Sequence, residues 1–294
     1  MTSVFFVTGA SRGLGRAITE EALEAGHRVV ATARRVGDLD DLRARYGDRV
    51  HVEPLDVTDA AAADAAVANG HAAFGRLDVV VNNAGQGDRA ALEDTSLEAF
   101  RRQVDTNFLG TVHVTRAAVP LLRRQGGGRI IQVSSLGGRI GSPGMTAYQS
   151  AKWAVGGFSE ALAAEVAPLG IKVTVLEPGG MRTDWAGSSM RTPPISTPYE
   201  ETVGASARAM DGFEKVANGD PRKVARLVLR VAAMDEPPMR LLAGSDAYEF
   251  GRTAWLRRLA IDEEWEALSR STDVDASDTT WQDQRGASVP EVNA

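Results

Sequence analysis

Cysteine is absent from the 294 residues, which excludes a disulfide framework, a thiolate nucleophile and any cysteine-ligated zinc or iron-sulfur centre. Histidine is scarce. His27, His51, His71 and His113 never fall three or four residues apart and none lies in an HExxH-like stretch, so no metal site is expected. Positive charge is in deficit, with 33 Lys and Arg against 39 Asp and Glu, and no long basic run occurs. A net charge of −6 offers no field to attract nucleic acid, and none is expected as a partner. No apolar run approaches the roughly 18 residues of a membrane span. The opening MTSVFFVTGA has neither a basic region nor a cleavage site, so the expectation is a cytoplasmic protein. What remains is an ordinary globular composition, 43% hydrophobic and 24% charged, able to bury a sizeable core.

Short β-branched runs alternate with longer amphipathic stretches. Candidate strands are Val4 to Val7, His27 to Ala33, Val50 to Leu55, Leu77 to Val81, Arg129 to Val133, Ile171 to Leu176 and Met239 to Ala243. Helical patterns lie between them at 38–46, 59–74, 96–124, 147–168 and 221–234. Strands separated by helices must run mostly parallel, and near-continuous apolar runs such as VVV and VTVL require helices on both faces. The expected fold is α/β, a Rossmann-type doubly wound sheet of seven mainly parallel strands, followed by a C-terminal helical extension. Residues 1–244 are expected to form one domain with a substrate lid at about 180–220, residues 245–270 the extension, and residues 271–294 a polar, mobile tail.

Directly after the first strand stands Thr8-Gly9-Ala10-Ser11-Arg12-Gly13-Leu14-Gly15, at the start of a helix. Glycines there let the backbone approach a pyrophosphate, whose charge is favoured by the N–H groups of the helix start. The second strand ends Ala31-Thr32-Ala33-Arg34-Arg35, without the acidic residue that would hold a ribose 2′-hydroxyl. Arg34, Arg35 and Arg12 instead suit a 2′-phosphate, which selects NADP(H); a solvated basic turn is the other reading.

The chain has four Tyr and four Lys, and Tyr148 and Lys152 form a pair at helical spacing. An ammonium beside a phenol would favour the phenolate and lower a pKa that starts near 10. Ser135 follows a strand and so lies at the carboxyl edge of the sheet, where open α/β sheets bind ligands.

Together these residues resemble the short-chain dehydrogenases/reductases, over about residues 1–244. TGASRGLG at 8–15 is similar to the family's TGxxxGxG loop, Asp56-Val57 to its adenine contact, and Asn82-Asn83-Ala84-Gly85 to its NNAG stretch. Asn107, Ser135, Tyr148 and Lys152 match the catalytic tetrad, and Pro178-Gly179 with Thr183 the segment that receives the nicotinamide. The resemblance implies that Tyr148 protonates a substrate carbonyl and Ser135 hydrogen-bonds it. Lys152 binds the nicotinamide ribose and tunes Tyr148, while Asn107 holds a water leading to solvent. It also implies a homodimer or homotetramer paired through the helices at 96–124 and 147–168.

The expected activity is NADPH-dependent reduction of a ketone or aldehyde. Oxidation of a secondary alcohol is the alternative within the family, and a non-enzymatic NADP(H) sensor the alternative outside enzymes. Met181, Trp185, Met190, Ile195, Tyr199, Val203, Met210 and Phe213 make the lid apolar, and Leu136 and Met145 lie near the serine. A hydrophobic carbonyl substrate is therefore expected. The stretch from Glu177 to Trp185 is similar to the steroid/retinol dehydrogenase-like subgroup.

Overall fold

The computed structural model describes residues 2–183 and 190–274. Trp185 of the lid and the tail beyond 274 lie outside them. Nine strands alternate with eleven helices among the described residues. The strands are β1 (Val4–Val7), β2 (Arg28–Ala33), β3 (Val50–Pro54), β4 (Val79–Asn82), β5 (Gly87–Asp88), β6 (Gly128–Val133), β7 (Ile171–Pro178), β8 (Met190–Arg191) and β9 (Arg240–Ala243). Helices α1 (Gly13–Glu24), α2 (Asp40–Tyr46), α3 (Ala60–Phe74), α4 (Leu97–Val104), α5 (Gly110–Arg124) and α6 (Thr146–Val166) lie in the first two thirds. After them come α7 (Ala205–Ala209), α8 (Phe213–Val216), α9 (Pro221–Ala233), α10 (Ser245–Glu264) and α11 (Glu266–Arg270).

Seven strands form one sheet in the order β3-β2-β1-β4-β6-β7-β9, every neighbouring pair parallel. This is the expected Rossmann-type architecture. Its strands are apolar on both faces because helices cover both. One core packs Phe5, Val7, Val29 and Val81 against Ile18, Leu23 and Val228. A second packs Phe6, Val30, Val80 and Ile130 against Val67, Val114 and Leu162. The order reverses at β1, whose neighbours are β2 and β4, and such a switch point opens a crevice at the carboxyl ends of the strands.

Local chemistry sets the helix limits. Asp59 caps α3 by accepting from Ala62 N at 3.0 Å, and Gly75 closes it in the left-handed conformation. Ser96 accepts from Ala99 N at 3.1 Å, and Asp220 caps α9 just ahead of Pro221.

Two features depart from the sequence reading. The expected helix at 96–124 is present as one continuous run, but α4 and α5 meet within it at a π-helical turn, Asp105–Leu109, that contains Asn107. Lid residues Met190–Arg191 pair in parallel with Gly87–Asp88, two strands too short to leave an alternating pattern. By internal contacts the chain divides into two units, Met1–Arg252 and Thr253–Ala294. Described residues of the second carry exposed Trp255, Leu256, Leu259, Ile261, Trp265 and Leu268.

Candidate active site

The glycine loop leaves β1 at the switch point and is tied to its surroundings by Thr8. The Thr8 hydroxyl accepts from Asn83 N and Ala84 N, both at 2.9 Å, so the loop and the Asn82–Gly85 segment are held side by side. Asn83 returns the contact by donating to Thr8 O at 3.0 Å and Gly9 O at 3.3 Å. Asn82 lies beneath, donating to Thr115 Oγ1 and Gln132 Oε1 at 2.9 and 2.8 Å. Gly15 has to be glycine, since a Cβ there would press on Gly9 O and Asn83 Nδ2. Gly13 adopts φ of 57°, and the nearest atom to a Cβ built on it would be Thr183 Cβ at 3.9 Å.

Those features test whether a dinucleotide fits. Helix α1 follows Arg12 without a side-chain cap and without an acid in its first turn, so its first N–H groups have no side-chain partner. Ser11 precedes the cap, and Leu14 of the loop is buried in the first core. Uncapped donors, a left-handed glycine and a neighbouring threonine suit a pyrophosphate. At the outer end of the crevice Asp56 is exposed, with Oδ1 accepting from Thr58 N at 3.0 Å, and Val57 is buried beside it.

The three arginines behind the 2′-phosphate reading are all exposed but are not equivalent. Arg35 is engaged by Asp38, with Nη2 to Oδ2 at 3.2 Å. Arg34 and Arg12 carry no ion pair among the described residues. Arg16, which sequence reasoning passed over, is held by Glu20 and Asp41.

Ser135, Tyr148 and Lys152 converge. Ser135 stands just beyond β6, its Oγ accepting from Gly137 N at 3.0 Å, and it shares a hydrogen bond with the Tyr148 hydroxyl. Tyr148 and Lys152 sit one turn apart on α6 and are 5% and 4% exposed. Lys152 Nζ donates to Val133 O at 2.8 Å and lies 5.8 Å from the Tyr148 ring centre. The expected lowering of the phenol is not what this geometry gives. Burial pushes Tyr148 up to about 12, offset only in part by Ser135, and burial pushes Lys152 down to about 8. The ammonium gives one of its donors to a carbonyl of β6, and burial favours the protonated phenol.

Asn107 is fully buried, against the ordinary expectation for an asparagine inside a helix. Its Nδ2 donates to Gln86 O and Gln103 O, both at 2.8 Å, and its Oδ1 accepts from Gln86 N at 3.1 Å. Both donors are thus spent on protein, leaving acceptor capacity on Oδ1 for the water the resemblance implies. A Cβ on Gly85 would meet Asn107 Oδ1 at 2.8 Å and Lys152 Nζ at 3.6 Å, so both polar groups border that glycine.

Pro178 ends β7, Gly179 just after it donates to Ala243 O of β9 at 3.0 Å, and Thr183 follows near Gly13. Sequence reasoning missed what fixes this segment. Asp246, at the start of α10, accepts from Gly180 N at 2.7 Å. Buried Glu177 accepts from Arg139 Nε and from Arg240 Nη1, both at 2.7 Å, linking the serine loop to the nicotinamide segment. Gln86 and Gln103 were equally unmarked. Gln86 adjoins the NNAG stretch and could have been suspected from that, whereas Asp246 lies too far along the chain to leave any sign.

Among the described residues no cluster of His, Asp or Glu could hold a metal ion, and no helix is long and apolar enough to cross a membrane.

Comparisons with known proteins give the family. The short chain dehydrogenase family profile matches residues 3–193. Oxidoreductase BOA17 of Botryotinia fuckeliana is 53% identical over 92% of this chain and 98% of its own. A crystal structure of a short-chain dehydrogenase from Streptomyces avermitilis superposes with a TM-score of 0.87 at 40% identity, covering 92% of this chain and 98% of that one. An alcohol dehydrogenase from Thermococcus sibiricus complexed with 5-hydroxy-NADP gives a TM-score of 0.69 at 27% identity, covering 83% and 96%. With its parallel sheet, glycine loop and serine-tyrosine-lysine cluster, this chain is an oxidoreductase that belongs to the short-chain dehydrogenases/reductases.

Proposed function

We propose that the protein reduces a ketone or aldehyde to an alcohol at the expense of NADPH, with Tyr148 as proton donor. The observation that carries this reading is the Tyr148 phenol, buried, hydrogen-bonded with Ser135 and kept protonated by its surroundings. A group that holds its proton is suited to give it to a carbonyl oxygen as negative charge builds there. The Ser135 hydroxyl donates to the same oxygen and aligns the carbonyl. Lys152 returns a proton to the tyrosine side after transfer, and Asn107 Oδ1 holds the water that links Lys152 to solvent. When bound, the reduced nicotinamide supplies the hydride to the carbonyl carbon.

The NADPH preference rests on Arg34 and Arg12, exposed beside the crevice and without an ion pair among the described residues. Arg35 is neutralised by Asp38 and adds less. Structural relatives carry either nucleotide, NADP or a derivative in some and NAD in another, so the preference rests on the arginines. The buried cluster of Met145, Tyr148 and Met190 supports a substrate with an apolar body. Pairing into a dimer or tetramer through α4, α5 and α6 completes the proposal.

The test is oxidation of NADPH and of NADH by the purified protein across apolar ketones and aldehydes. NADPH is expected to be favoured at least about tenfold in kcat/KM, and Arg34→Ala to remove most of that margin. No turnover with any carbonyl would overturn the reductase reading. Equal use of both nucleotides would overturn the cofactor preference.

A further inference from the structure

A guanidinium taken out of water is tolerated when an anion lies against it, because burial penalises an unpaired charge heavily. Most shielded arginines here obey that rule: Arg139 and Arg240 hold Glu177, and Arg102 holds Asp88 at 2.7 Å. Arg89 does not. It follows β5, is only 6% exposed, and has a buried Nε with no hydrogen-bond partner. Its guanidinium makes no hydrogen bond and no ion pair among the described residues. The carboxylate that acts on it, Asp211, does so from beyond ion-pair distance, and burial disfavours the cation.

Its position is defined by its neighbours. Arg89 N donates to Arg191 O of β8 at 2.8 Å, and Ala90 N donates to Gly144 O at 3.0 Å. A Cβ on Gly144 would meet Arg89 Cγ at 3.0 Å and Val203 Cγ1 at 2.8 Å. The side chain thus leaves the backbone between β8, the loop leading into α6, and lid residue Val203. Met145, next to Gly144, packs with Tyr148 and Met190 in one buried apolar cluster. An unmatched cation and the proton-donating tyrosine therefore share one small region of the fold.

We propose that Arg89 anchors a carboxylate of the substrate, which is then an apolar ketone or aldehyde bearing one carboxylate remote from its carbonyl. The inference rests on the reductase reading and narrows its substrate class. A guanidinium offers parallel N–H donors that match the two oxygens of a carboxylate. One buried cation balances one negative charge. A phosphate dianion would leave charge that Arg89 alone does not neutralise, and Asp211, which opposes any anion there, would repel it more strongly than a carboxylate. The same pairing removes the burial penalty that Arg89 bears alone, so the anion belongs to the site as much as the carbonyl does.

The experiment compares a series of oxo-acids with their methyl esters as substrates for wild type, Arg89→Met and Arg89→Lys. In parallel, the saturated monocarboxylates of the same chain lengths are titrated into each protein by calorimetry. Wild type is expected to favour acid over ester at least about tenfold in kcat/KM. Arg89→Met is expected to lose at least about tenfold on the acids while keeping the esters within about threefold, with Arg89→Lys between. Monocarboxylates should bind wild type and not Arg89→Met. Without ligand, Arg89→Met should unfold at the same or a higher temperature than wild type, because it removes an unpaired buried charge.

Esters reduced as well as acids, with no carboxylate binding, would overturn the anchor and leave the reductase reading standing. Carboxylate binding abolished by Arg89→Met, with no carbonyl reduced by any variant, would uphold the anchor and overturn the reductase reading. Neither binding nor reduction would overturn both. A lower unfolding temperature for Arg89→Met with equal losses on acids and esters would assign Arg89 a structural role with Asp211 and overturn the anchor.

Discussion

The phenol of Tyr148 and the ammonium of Lys152 are shaped by burial, with Ser135 a smaller influence on the phenol. Burial moves Lys152 from 10.5 down to about 8, so between those values the unfolded chain binds more protons than the folded one. The cost of keeping the ammonium in the fold is complete below about pH 8 and fades as pH rises toward 10.5. Lys152→Met should therefore gain stability relative to wild type at neutral pH by about 1–3 kcal/mol more than it does near pH 10, by denaturant unfolding. An unchanged difference would show that Lys152 is not shifted in the fold. Tyr148 works with the opposite sign. Its pKa is raised to about 12, so its contribution is complete below pH 10 and is lost as pH climbs toward 12. At this scale the sequence was legible where rare residues met, as with Tyr148 and Lys152. It was silent about Arg89 and Glu177, ordinary residue types whose meaning comes from burial, which no spacing encodes.

Among elements, the glycine loop and the serine loop are each held by a few polar ties. A methyl on Gly15 would press on Gly9 O and Asn83 Nδ2, one of them backbone and neither free to move. Gly15→Ala is expected to destabilise the fold by about 1–3 kcal/mol and to weaken nucleotide binding at least about tenfold. Unfolding curves and nucleotide titration check both parts. Glu177→Gln should remove the buried carboxylate that Arg139 and Arg240 share, leaving Arg240 its pair with the exposed Glu160, at roughly 2–4 kcal/mol in denaturant unfolding. A loss under about 0.5 kcal/mol would mean that solvent screens the pair. The seven sheet strands could be read from their apolar runs because burial on both faces leaves no polar alternation. The π turn at Asp105–Leu109 could not, since one added residue in a helical turn barely disturbs a pattern of period 3.6. The pairing of β5 with β8 was equally hidden, because two-residue strands carry no rhythm.

For the whole molecule, the sheet order places β1, β4 and β6 side by side, and so brings the glycine loop, Asn82–Gly85 and Ser135 to one edge. Helix α6 adds Tyr148 and Lys152 to that edge from one face. This assembly was legible in outline because parallel strands put their carboxyl ends together wherever helices connect them. What joins the lid and nicotinamide segment to it, Asp246 and the Glu177 pair, is long-range packing that no local pattern foretells. Pairing through α4, α5 and α6 is expected to give a dimer or larger species by light scattering. A monomer at micromolar concentration would remove that part of the account.

The central claim, that Tyr148 delivers the proton, is tested most directly by Tyr148→Phe assayed with NADPH and a carbonyl that wild type reduces. The account predicts a fall in kcat of about a hundredfold to ten-thousandfold, with NADPH affinity within about threefold of wild type. Turnover near the wild-type rate, with the phenol gone and the nucleotide still bound, would contradict it.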